Sequence, residues 1–162
     1  MTSQYCDAGQ ADAYHESQYH FPEQAFAGKT IVVAGGSGSL RAASVALLAR
    51  EVAHLIVGYR SNRERAEALR QAIESTYSCS ISLVAGDIAS AQVRDAYLAA
   101  AQKFAAPLAG VAIFPDDPAR VAFENLNRET LLASLESNYA GPILLAREIG
   151  TVREATLRRD RA

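Results

Sequence analysis

Lysine is nearly missing from this sequence. Of 16 Lys plus Arg, only Lys29 and Lys103 are lysines, so arginine carries almost all the positive charge. Against 18 Asp plus Glu, the net charge is -2. A chain so balanced has no broad basic field, which removes the global electrostatic drive toward nucleic acid. Cysteine is scarce too. Cys6 and Cys79 are too few for a disulfide scaffold, lack metal-ligand spacing and suit a reducing cytosol. His15 and His20 flank Glu16, but their spacing does not align them on one helical face, and no full ligand set accompanies them. No run approaches the ~18 apolar residues needed to span a bilayer. The N-terminus lacks the basic segment and apolar stretch of a secretory signal. These absences predict a soluble, cytoplasmic chain with no metal, no membrane and no nucleic-acid partner.

What remains is globular material. The 162 residues are 49% apolar and 21% charged, enough for one domain with a real core. Residues 1–28 are rich in Gln, Tyr, Ser, Asp and His without a sustained period, and read as a flexible N-terminal arm. From Lys29 the pattern alternates. Thr30-Ile31-Val32-Val33-Ala34 is a β-branched apolar run that ends in Gly35-Gly36-Ser37-Gly38, a buried strand closed by a tight turn. A helix is predicted over Ser39–Glu51 and a second strand over Ala53–Val57, closed by Gly58. A charged amphipathic helix over Asn62–Thr76, a strand over Ser80–Ala85, a helix over Ala91–Phe104 and a strand over Leu108–Phe114 follow. Residues 128–149 read as mainly helical with a kink at Pro142. This alternation predicts an α/β fold of right-handed βαβ units, a Rossmann-like three-layer arrangement about a parallel sheet over 29–150. Residues 151–162 carry Arg153, Arg158, Arg159 and Arg161, an Arg-rich tail that reads as a solvated end, extending the last helix or fraying from it.

A glycine turn between a first strand and a helix is a phosphate site in principle. Backbone N–H groups at the helix start point outward, the helix dipole favours an anion, and glycines let a pyrophosphate approach. The segment from Gly28 to Ala43 resembles the opening of short-chain dehydrogenases/reductases, whose T-G-x-x-x-G-x-G pattern falls on Ala34, Gly35, three free positions, Ser39, Leu40 and Arg41. The resemblance continues in register. Val57-Gly58-Tyr59-Arg60-Ser61-Asn62-Arg63 looks like the second-strand end of members that prefer NADP. Ala85-Gly86-Asp87-Ile88 resembles the Asp-hydrophobic pair that meets adenine, and Ser137-Asn138-Tyr139-Ala140-Gly141-Pro142 the segment that holds the active-site Asn. The resemblance therefore implies NADP(H) in preference to NAD(H). It would be held by Gly35, Ser37, Gly38, Ser39, Leu40, Tyr59, Arg60, Ser61, Asp87 and Ile88, with Asn138 as the catalytic residue. A guanidinium at Arg60 suits a 2′-phosphate dianion because it can grip two oxygens.

The sequence departs from the family in three places. Ser39 and Arg41 stand where the family has glycine, so a Cβ meets the phosphate approach and a long side chain enters the helix–strand contact. Arg41 either swings outward to pair with phosphate or blocks the site. The family's N-N-A-G falls on Phe114-Pro115-Asp116-Asp117, where Asp116 and Asp117 read as an acid–base pair or, more simply, as a turn. Finally, a Ser and a Tyr-x-x-x-Lys follow the Asn in the family at a greater distance than the residues remaining after Asn138, and no Tyr of this chain has a Lys four positions on. Tyr59-x-x-x-Arg63 is the nearest imitation, but Arg, with a pKa above ~12, is a poor partner for tuning a tyrosine.

Several residues keep two readings. Asn138 is an active-site residue or satisfies a local backbone group. Arg60 is a phosphate ligand or a solvated loop side chain. Asp87 meets adenine or serves the start of the following helix. Cys79 and His54 read as packing residues. With the sheet order 3-2-1-4, the fourth strand is expected as an apolar edge, and it or the last helix is expected to carry a homo-oligomer contact. Function then divides three ways. The chain is an NADP(H)-type oxidoreductase lacking its later catalytic residues and inactive alone, a noncatalytic dinucleotide-binding or dimerising pseudoenzyme module, or a truncated product without stable function.

Overall fold

The structure, a computed structural model, describes residues 25–35, 39–104, 106–115 and 122–159, with side chains for all of these except 39–41, 52, 53 and 155–159. Most of the expected N-terminal arm lies outside the described residues, as do Gly36, Ser37, Gly38 and the Asp116-Asp117 pair.

Four strands alternate with helices in the expected sequence. They are β1 (Phe26–Ala34), α1 (Ser39–Ala49), β2 (Val52–Tyr59), α2 (Arg63–Thr76), β3 (Ser80–Ala85), α3 (Ala91–Lys103) and β4 (Leu108–Ile113). After β4 come a 3₁₀ turn (Phe123–Asn125), α4 (Arg128–Leu135), a π-helical turn (Glu136–Ala140) and α5 (Gly141–Arg159). β1 and β2 both run longer than the apolar runs that predict them. The additions to β1 are exposed, and its pairing slips between Phe26 and Thr30, where Gly28 takes φ 70°. Hydrophobicity marks only the buried stretch of a strand, so backbone pairing beyond the core leaves no apolar signal.

The sheet order is β3-β2-β1-β4 and every pairing is parallel. Val33 lies opposite Val57 on one side and Ala112 on the other. Parallel strands buried on both faces need apolar residues at consecutive positions. Ile31, Val33, Leu55, Val57 and Ile81 point to one face, where they meet Val45 and Ala49 of α1 and Ile73 of α2. Val32, Ala34, Ile56 and Val84 point to the other, where Tyr97, Ala100 and Ala101 of α3 and Leu145 and Ile149 of α5 cover them. Each fully buried Val, Leu or Ile contributes on the order of 1.5–3 kcal/mol. Residues 30–34 of β1 and 55–58 of β2 are buried, whereas Ala109 to Ile113 of β4 are only half-buried. The apolar edge expected at the fourth strand is thus present among the described residues. The Arg-rich tail extends the last helix as far as Arg159.

Candidate functional site

β1 stands between β2 and β4, and its chain leaves toward one neighbour while β4 arrives on the other side. Open parallel sheets bind ligands at such a switch point, outside the carboxyl ends of the strands. The two strands end together, with Ala34 opposite Ile113 and the Phe114 N–H donating to the Ala34 carbonyl at 3.0 Å. Gly35 takes φ 79°, a left-handed conformation that a side chain resists, and α1 starts at Ser39. The first strand therefore ends on a left-handed residue four positions before a helix N-terminus.

Directly beneath this turn sits a residue that the sequence reading passes over. Tyr97 of α3 is 1% exposed and its hydroxyl accepts the Gly35 N–H. A Cβ on Gly58, the next-to-last residue of β2, would overlap that hydroxyl and come within 3.1 Å of the Gly35 nitrogen. Burial pushes the Tyr97 phenol well above its ordinary titration range, and the Gly35 N–H offsets part of that. The available signal was its position. Arg94, Tyr97, Ala100 and Ala101 share one buried helical row in a segment otherwise rich in alanine.

At the end of β2, Tyr59 is half-buried and Arg60, Ser61 and Asn62 are exposed. Asn62 caps α2, its side-chain oxygen accepting the Arg65 N–H at 2.9 Å. Arg60 and Ser61 thus stand in the short turn between a strand's carboxyl end and a helix N-terminus, where an anion is favoured. No carboxylate occupies these positions.

The loop after β3 is held from four sides. Gly86 takes φ 120°, its N–H donates to the Tyr59 carbonyl at 2.8 Å, and a Cβ there would meet Val93. Asp87 accepts the Ala89 N–H at 2.9 Å through one carboxylate oxygen and the Ser137 hydroxyl at 2.9 Å through the other. Arg94 donates to the Ile88 and Ala89 carbonyls at 2.9 and 2.8 Å and pairs with Glu148 of α5 at 3.2 Å. Gly141 lets α5 approach so closely that a Cβ there would lie 2.8 Å from the Ile88 carbonyl oxygen. Asp87 therefore organises its own loop and joins it to the π-helical turn. Ser90 occupies the N-cap of α3 without a side-chain hydrogen bond.

The expected kink has a specific form. Pro142 has no N–H to offer the Asn138 carbonyl four residues back, and the chain widens into a π turn in which the Gly141 N–H reaches the Glu136 carbonyl. Asn138 sits in this turn, half-buried, and its amide donates to the Ser134 hydroxyl at 3.2 Å. The turn also carries Ser137, the partner of Asp87.

Thus Gly35, Tyr59, Arg60, Ser61, Asp87 and Ile88 all lie at or just beyond the carboxyl ends of β1, β2 and β3. Asn138 joins this end of the sheet through Ser137 and Asp87. Ser37 and Gly38 are outside the described residues, and Ser39 and Leu40 are placed by backbone alone at the start of α1. Whether Arg41 pairs with phosphate or blocks it is likewise a matter of a side chain outside the described set. Cys79 lies away from this end, just before β3, buried and unpaired by any disulfide. Burial, with Glu74 nearby, pushes its thiol up to about 11. His54, early in β2, stacks on Phe104 with ring centroids 4.3 Å apart, and its buried Nδ1 finds no hydrogen-bond partner among the described residues. No cluster of metal-ligating side chains occurs among the described residues, and no helix there is long and apolar enough to cross a membrane.

A parallel sheet in the order 3-2-1-4, with helices alternating along the chain, is a Rossmann-like architecture. Residues 29–152 match the family model of the KR domain, and the chain belongs to this family of the short-chain dehydrogenase/reductase type. Among solved structures it is similar to L-sorbose reductase from Gluconobacter frateurii, complexed with NADPH and L-sorbose (TM-score 0.74, 17% identity, 83% of this chain and 51% of that one). It is also similar to a short-chain dehydrogenase/reductase from Serratia marcescens (TM-score 0.69, 24% identity, 79% and 51%). A third is YwfH, an NADPH-dependent reductase involved in bacilysin biosynthesis (TM-score 0.66, 20% identity, 76% and 51%). At these identities the likeness is one of fold. The chain spans about half the length of each. No curated protein matches the sequence.

Proposed function

We propose that this chain binds NADP(H) at the carboxyl end of its sheet and that the 162 residues by themselves do not turn over substrate. The observation that carries the cofactor reading is the β2–α2 turn. Arg60 and Ser61 are exposed there, beside a helix N-terminus, and no carboxylate stands where a ribose 2′-hydroxyl would be gripped. The described residues fit a dinucleotide. The start of α1, which follows the turn at Gly35, would take the pyrophosphate, Arg60 and Ser61 the 2′-phosphate, and the Asp87–Ile88 loop the adenine. Similar folds described as NADPH-bound or NADPH-dependent support the preference. When bound, NADPH supplies a hydride. The protein's part would be to orient the nicotinamide and to offer a proton to the reduced oxygen, a role that neither Tyr97 nor Tyr139 fits. Tyr97 is sunk beneath the sheet end with its phenol harder to ionise than usual, and Tyr139, though exposed beside Asn138, has no Lys four positions on.

Calorimetric titration of the chain with NADPH and NADH tests this reading. NADPH should bind more tightly than NADH. Arg60→Ala should cost NADPH roughly tenfold or more, the worth of a charge-assisted contact, and should leave NADH unchanged. Equal affinity for the two nucleotides would remove Arg60 from the site. Steady NADPH oxidation coupled to reduction of a carbonyl substrate would overturn the lack of turnover.

A second reading, association of the chain with itself, is favoured by one observation. Leu131, Leu135, Tyr139 and Ile143 repeat every fourth residue through α4, the π turn and α5, and they are 42–65% exposed together with the neighbouring Leu132. Exposed apolar surface of this length supports contact with another protein over a solvated face.

A further inference from the structure

We propose that Tyr97 is a positioning residue for the dinucleotide, fixing the exit of β1 at Gly35 from below so that the N-terminus of α1 is presented to the pyrophosphate. This rests on the cofactor reading above and adds to it a residue that touches no part of the ligand. The argument is geometric. The Tyr97 side chain crosses from α3 to the carboxyl ends of β1 and β2 and is 1% exposed there. Its hydroxyl fills the space left by the absent side chain of Gly58. It accepts the N–H of Gly35, the residue at which β1 leaves the sheet with φ 79°. One buried hydroxyl therefore meets both central strands where the turn begins. The Gly35 amide is spent on Tyr97 and is withdrawn from the set that can face a phosphate. Among the described residues that set is then the first turn of α1, which begins at Ser39 and whose N–H groups have no partner within the helix.

A buried N–H left without an acceptor is costly. In Tyr97→Phe the ring stays and the acceptor goes, so Gly35 gains a reason to rotate its amide away from the sheet end. The turn would then lose its fixed start while the β2–α2 turn, which carries Arg60, keeps its own cap at Asn62. The two ends of the ligand should respond differently.

The test is calorimetry on wild type and Tyr97→Phe with two ligands, NADPH and adenosine 2′-monophosphate, which has the 2′-phosphate but no pyrophosphate. The expected result is a loss of roughly five- to tenfold in NADPH affinity, the effect of one ordinary hydrogen bond, with adenosine 2′-monophosphate unchanged within twofold. Unchanged NADPH affinity overturns the proposal and leaves the cofactor reading standing. A parallel loss for both ligands also overturns it, because that is the mark of a general structural role. If wild type binds neither ligand, the cofactor reading fails and the proposal falls with it. Amide exchange of the wild-type protein gives a check that needs no variant. The Gly35 N–H should be protected with and without NADPH, whereas amides at the start of α1 should gain protection on adding it. A Gly35 amide that exchanges freely until NADPH is added would itself be a phosphate donor and would overturn the proposal.

Discussion

Gly58 and Tyr97 divide one volume between them, and neither can change alone. A methyl group on Gly58 would overlap both the hydroxyl and the ring of Tyr97. Gly58→Ala should therefore lower stability by about 1–3 kcal/mol, the cost of an overfilled core. Adding Tyr97→Leu should recover part of that loss, since residues in contact are not additive. Urea unfolding of the two single variants and the double variant measures it. At the opposite end of the sheet, Cys79 is held neutral by burial and by Glu74, with its thiol pushed from 9.0 up to about 11. The folded protein thus keeps this proton more tightly than the unfolded chain. The stability so gained is complete below pH 9.0 and is lost as pH rises through about 11. In a Cys6→Ser background, alkylation at pH 8 should be slow when native and fast in denaturant. Equal rates would place Cys79 at the surface.

At the scale of elements, the decisive piece is the loop between β3 and α3. Arg94 binds two of its carbonyls and Glu148, so one guanidinium joins the loop, α3 and α5. Its side chain is 9% exposed while that of Glu148 is 31% exposed. Arg94→Met should cost about 3 kcal/mol, near the lower end for breaking a buried pair, because Glu148 still reaches water. Glu148→Gln keeps an acceptor and should cost less. Chemical denaturation of the two variants separates them, and equal small losses would mean that the loop does not depend on this pair. None of this was legible as an element signal. Arg94 reads along the chain as one more charged residue on an amphipathic helix. Its partner stands 54 residues away. The kink, by contrast, follows from Pro142 itself, and only its π form needed the structure.

For the whole molecule, two surfaces remain that the described residues do not cover. One is the half-buried strand β4 at the sheet edge, and the other is the apolar stripe from Leu131 to Ile143. We propose that copies of the chain associate through the stripe. Leu135, 49% exposed at its centre, is the residue whose change should tell most. Leu135→Asp should convert a dimer into a monomer in sedimentation, with little change in the unfolding midpoint, since that side chain supports no internal core. A wild-type monomer at tens of micromolar protein would remove self-association through this surface.

By itself the sequence determined the class of fold. The apolar runs at Thr30–Ala34 and Leu55–Val57 are continuous because central strands buried on both faces have no wet side, and their alternation with helices leaves only a parallel sheet. It also set glycines and Arg60 where those runs stop, at the strand ends proposed above for a nucleotide. The tertiary structure alone decided what lies beneath Gly35 and what holds the loop after β3. The Tyr97–Gly35, Arg94–Glu148 and Asp87–Ser137 contacts each join residues at least 50 positions apart. A local pattern records whether a residue is buried but not which distant group it meets, because that partner is chosen by the packing of whole elements.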